Sequence, residues 1–109
     1  VTDAVVAARD PHFFAEQGLA HHRPEELLLF EADEPNHAEP TSEEWLQVKL
    51  AALEAHESQV ETTHLYNLDA ASRGDAIIAF HARERAKLES AGAPFGIELA
   101  ESFHRMDGL

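Results

Sequence analysis

Eight histidines stand among 109 residues, more than ordinary composition supplies, so metal ligation and acid–base chemistry are the first roles to weigh. Their spacing argues against a self-contained metal centre. There is no His-Glu-x-x-His and no pair four residues apart on one helix face, and the adjacent His21 and His22 cannot easily direct both rings at one ion. With no cysteine, any metal would rest on nitrogen and oxygen ligands. His37 follows Pro35-Asn36 after an apolar run that reads as a strand. Loops at the carboxyl ends of strands are where open α/β sheets bind ligands, although an exposed loop histidine fits the same pattern. His56, in Ala55-His56-Glu57-Ser58-Gln59, closes a capped helical stretch and reads either as a helix-capping residue or as a site group. Glu101 interrupts the apolar face of a terminal strand, where a carboxylate is either hydrogen-bonded within the fold or turned to a pocket rim. His104 lies just past that stripe, facing solvent or a pocket. The five glycines are scattered, with no phosphate-cradling loop and no Gly-x-Ser-x-Gly elbow. Dinucleotide, kinase and serine-hydrolase readings therefore have no support.

The elements that would position these residues follow from periodicity and punctuation. Residues 1–9 read as a helix with no preceding cap, ended by Asp10-Pro11, because proline disfavours a helical residue before it. The absent cap is the expected signature of a helix continued from an upstream segment. Residues 11–24 are irregular and carry His12, His21 and His22. The run Leu27-Leu28-Leu29-Phe30, bounded by Pro24 and by Asp33-Glu34-Pro35-Asn36, predicts a strand over residues 25–32 covered on both faces. Thr41-Ser42-Glu43-Glu44 has the form of a capping box, Thr41 answered by Glu44, and opens a helix whose broad apolar face predicts packing on two sides. A further helix is expected from Ser72 or Asp75 to Ser90, with Ile77, Phe80, Glu84 and Leu88 on one stripe and Ala91-Gly92 as its stop. Alternation over residues 96–104 predicts a last strand with Ile97, Leu99, Glu101 and Phe103 on one face. Two strands do not make an independent sheet. An α/β layer arrangement completed by another polypeptide segment solves this, and a small helical bundle is the competing solution.

Twenty-one acidic residues against eight basic ones give a net charge of −13, which repels phosphate backbones and anionic lipid, so no nucleic-acid and no membrane partner is expected. The longest apolar runs are a few residues, far short of the roughly 20 that span a bilayer. The absence of cysteine suits a cytoplasmic protein.

Three segments, taken in order, resemble the GlcNAc-PI de-N-acetylase (LmbE-like) family. The first runs from His22-Arg23-Pro24 through the leucine strand to Glu34-Pro35-Asn36-His37. The second is Lys49-Leu50-Ala51-Ala52-Leu53-Glu54-Ala55-His56-Glu57-Ser58-Gln59, similar to the family's lysine-to-histidine helix ending in His-x-Ser-Gln. The third, residues 96–104, resembles the family's closing Ala-Glu-x-Phe strand, and residues 1–10 resemble the helix after its His-Pro-Asp-His segment. The resemblance implies the C-terminal portion of a Rossmann-like α/β fold, with the whole chain one incomplete deacetylase domain. It implies a zinc-dependent hydrolase that removes the acetyl group of an N-acetylated amino sugar or related conjugate in biosynthesis. Zinc would polarise the acetyl carbonyl and a carboxylate would take the proton from its bound water. The family's zinc ligands lie in an Ala-His-Pro-Asp-Asp segment and in the His-Pro-Asp-His segment. Neither is in this sequence, so the resemblance implies either one piece of a divided enzyme, inactive alone, partnered by the N-terminal segment of the same enzyme and homo-oligomeric as in the family, or an inactive remnant. By position, Asn36, His37 and Gln59 would contact substrate, with His56, Glu101 and His104 as candidate catalytic or supporting groups. The competing functional class is a non-enzymatic acidic interaction domain.

Overall fold

The computed structural model describes residues 2–64 and 68–108. The chain is mixed α/β: α1 (Thr2–Arg9), β1 (Glu26–Leu29), β2 (His37–Pro40), α2 (Glu43–Glu54), α3 (Glu57–His64), α4 (Ala70–Gly92) and β3 (Ala100–Asp107). The three strands form one sheet in the order β1-β3-β2, so the all-helical alternative does not hold. β1 lies antiparallel to β3 with Glu26 opposite Asp107 and Leu29 opposite His104. Along the other edge of β3, Asn36 N–H donates to the Phe103 carbonyl at 3.0 Å and Thr41 N–H donates to the Leu99 carbonyl at 2.9 Å. No described helix is long and apolar enough to cross a membrane.

The chain divides into two compact units, residues 37–102 and the remainder, 1–36 with 103–109. In the first, Leu46, Leu50, Phe80, Leu88 and Leu99 form the core, with Leu53 half-buried against them. Each such side chain taken fully from water contributes about 1.5–3 kcal/mol. The α4 stripe is where periodicity places it: Phe80, Glu84, Leu88 and Gly92 are buried, and the Glu84 carboxylate is answered by Lys87 one turn on. Asp69 caps α4, its carboxylate accepting from Ser72 N–H at 2.8 Å, so the helix starts a little before Ser72. α2 begins at Glu43 because Ser42, rather than Thr41, is the cap and accepts from Trp45 N–H. Only one side of α2 is covered. Leu46 is 1% exposed whereas Trp45 is 64% and Val48 52% exposed, so the expected two-sided packing is not met within the chain.

The strands depart further from expectation. β1 spans only Glu26–Leu29 and is an edge strand with its leucines half-buried, not covered on both faces. Phe30 beyond it is exposed and Glu31 adopts a positive φ, a conformation that ends an extended run. β2 lies where the sequence predicts loop. Its sequence His-Ala-Glu-Pro carries no apolar alternation, and Pro40, which has no N–H, is tolerated because β2 is also an edge strand. The last strand starts at Ala100 instead of Gly96: residues 93–95 make a turn of 3-10 helix closed by Gly96 at φ +69°, a left-handed position that favours glycine. A separate α3 follows His56, where the sequence predicts only a helix end.

In the second unit α1 ends at Arg9, before Asp10-Pro11 as predicted, and His22 N–H donates to the Ala8 carbonyl at 2.7 Å, closing a loop that contains one short 3-10 turn. Among the described residues none of the buried hydrophobic side chains belongs to this unit; Phe13, Phe14, Leu19 and Phe30 are all exposed.

Gly92 is the closest approach in the fold: a Cβ built there lies 2.2 Å from the Ile97 carbonyl oxygen. Gly92→Ala should therefore lower stability by about 1–3 kcal/mol, the usual cost of overpacking, seen as a fall in thermal unfolding midpoint. Gly74→Ala, in the same helix with nothing within 4 Å, should raise stability by about 0.5–1 kcal/mol. Equal effects at the two positions would refute the close approach.

Candidate functional site

The C-terminal half of β3 carries His104 and is met by Asn36, two of the sequence-nominated residues. Asn36 Nδ2 donates to the Arg105 carbonyl at 3.1 Å, and Arg105 N–H donates to Asn36 Oδ1 at 2.7 Å. The amide thereby imitates a backbone partner for β3, a use that no local pattern announces. His104 Nδ1 lies 2.9 Å from the Glu34 carbonyl oxygen. A carbonyl only accepts, so Nδ1 carries the proton, and in the neutral ring Nε2 is left as the acceptor. The half-buried His104 is held in one tautomer and orientation by this bond. Arg105 reaches Glu26 on β1 at 3.0 Å and Asp107 at 2.9 Å.

In the other unit His37, the first residue of β2, is half-buried and directs Nε2 to Glu39 Oε1. Two residues apart on a strand, the two side chains share a face. Glu101 is exposed and accepts from Lys49 Nζ at 2.7 Å, so the carboxylate in the apolar run is tied to α2 by an ion pair. With side chains 34% and 50% exposed, that pair is a surface interaction of about 0.2–1 kcal/mol. His56 is not simply the end of α2. Ala55 caps that helix, and the His56 carbonyl accepts from Gln59 and Val60 N–H at 3.0 and 3.1 Å, so His56 opens α3 with Gln59 one turn on. Both are exposed at this helix junction.

α2 is further joined to α4 by Arg85 with Glu43 and by His81 with Glu54, links that the sequence does not single out. Glu and Arg or His at such separations, 42 and 27 residues apart, leave no local signal. Among the described residues no three His, Asp or Glu side chains are grouped to hold a metal ion.

Comparison with known proteins returns no match: no family model, no curated protein and no solved structure matches the chain.

Hydrogen bonds to Arg85 and then Gln47 hold the Glu43 carboxyl below its ordinary range, and the backbone N–H of Ser72 does the same for Asp69. The stability these two groups contribute is present above their unfolded pKa values and is lost as pH falls through the lower folded values, in the region below about pH 4. Glu43→Gln and Asp69→Asn should each flatten the fall of the thermal midpoint between about pH 5 and pH 2. An acid profile unchanged by both substitutions would remove them as contributors.

Proposed function

We propose that the chain is part of a zinc-dependent de-N-acetylase of the LmbE-like kind, acting on an N-acetylated amino sugar or related conjugate, with its zinc ligands and general base on an N-terminal segment of the same enzyme. The observation that carries this reading is that two of the family-like segments, far apart in sequence, engage the strand to which the third leads. β1 pairs with β3, Asn36 holds the Arg105 backbone, and Lys49 binds Glu101. The unit formed by residues 1–36 and 103–109 supports the companion segment independently. It has strand pairing but no buried apolar side chain among its described residues, and Phe13, Phe14, Leu19 and Phe30 are exposed, which leaves apolar surface for a companion segment to cover. A Rossmann-like sheet extended by the companion, in a cytoplasmic and homo-oligomeric enzyme, completes the reading.

This chain would supply a wall of the substrate cleft. His37, oriented by Glu39, is the first candidate to contact the sugar. Asn36 has both ends of its amide engaged on β3 and would act chiefly by holding His37 in place. His104 offers an oriented acceptor nitrogen. Gln59, His56 and Glu101 are assigned to support or to a neighbouring subunit.

The test is to produce the chain together with a polypeptide carrying the Ala-His-Pro-Asp-Asp and His-Pro-Asp-His segments. The expected result is a complex with one zinc per pair that releases acetate from N-acetylated amino-sugar conjugates, with kcat/KM lowered about tenfold by His37→Ala, the value of one lost hydrogen bond. A chain that remains single and zinc-free beside that polypeptide, with no acetate released, would overturn the proposal and leave an acidic interaction domain.

A further inference from the structure

The eight cationic side chains of this chain face twenty-one carboxylates, so a guanidinium without an acceptor is unusual here. Lys49, Arg85, Lys87 and Arg105 are in ion pairs, Arg73 donates to the Leu68 carbonyl, and Arg83 also has a partner. Among the described residues only Arg9 and Arg23 have none, and both line the same cleft, of about 450 Å³.

Their meeting has a backbone cause. Arg9 is the last residue of α1, and the bond from His22 N–H to the Ala8 carbonyl closes the loop directly before Arg23. The two residues that follow the bonded pair are thereby brought to one cleft, although thirteen residues lie between them in sequence. His12 joins them in the lining. Asp10, the one carboxylate among the described lining residues, accepts the His12 backbone N–H at Oδ1, 2.9 Å away. With two guanidiniums against one carboxylate, the cleft is positive within a strongly negative chain.

We propose that this loop neck binds a small oxyanion, the phosphate group of a phosphorylated small molecule. Arginine forks match the geometry of phosphate oxygens and form charge-assisted hydrogen bonds with them. The cleft is large enough for a phosphate and part of the molecule that bears it, and the surrounding negative charge disfavours polyanions such as nucleic acid. The proposal is separate from the deacetylase reading, since it involves none of the residues assigned there.

The experiment is calorimetric titration of the 109-residue chain with inorganic phosphate at low ionic strength, beside a chloride titration matched in ionic strength, for the original sequence and for Arg9→Gln and Arg23→Gln. The expected result is saturable one-to-one phosphate binding, absent with chloride and weakened about tenfold by either substitution, in line with loss of a charged hydrogen bond. Circular dichroism melts establish that both variants fold, and glycerol phosphate against glycerol reads the contribution of the attached group. Binding that does not saturate, that chloride reproduces, or that survives both substitutions would overturn the proposal.

Discussion

The sheet depends on β3 being paired along both edges. Its C-terminal half receives β1 through the Glu26–Asp107 to Leu29–His104 ladder, while residues 99–103 receive the chain around β2. A slip of one residue in a strand reverses every side chain on it, so register matters more here than in a larger sheet. It is secured locally in each unit. The Gly92 approach to Ile97, with Ile97 N–H donating to the Gly92 carbonyl, sets the entry to β3. The Asn36 amide, bonding both ways to Arg105, holds the strand further on.

Burial is distributed unevenly about this strand. Residues 37–102 hold all the buried apolar side chains described, and around them α2, α4 and β3 exchange ion pairs whose partners are half-exposed. Hydrophobic burial supplies most of the stabilisation there, because exposed pairs contribute little after screening and side-chain entropy. The other unit rests on strand hydrogen bonds and on one loop-closing bond, with Phe13, Phe14 and Leu19 in solvent.

Charge pairing adds a second asymmetry. In a chain of net charge −13, cations are scarce and most are drawn to carboxylates. At the loop neck the two arginines stand with Pro11, His12, Gly108 and Asp10, so among the described lining residues two guanidiniums face one carboxylate. Cations without a carboxylate partner remain available to an external anion at short range, against the repulsion of the chain's net charge.

Much of the secondary structure was legible because its causes are local. Pro11 ends α1, a hydroxyl residue at 41 or 42 starts α2, the Phe80–Glu84–Leu88 spacing marks the buried stripe of α4, and Gly92 stops that helix. Each is set by propensity, capping or side-chain period within a few residues. β2 was illegible because His-Ala-Glu-Pro becomes a strand only by meeting the free edge of β3, some sixty residues away. The same holds for the candidate site. Residue types nominated Asn36, His37, Glu101 and His104, but the partners that define them, Arg105, Glu39, Lys49 and the Glu34 carbonyl, were mostly invisible in the sequence. Glu39, two residues from His37 on one strand face, was the exception in principle, had β2 been recognised. Sequence alone determined, to within a few residues, the course of α1, α2 and α4, and which residues could do chemistry. Tertiary structure decided the strand partners and what each polar group holds, because those choices are made by contacts between distant segments rather than by the local chain.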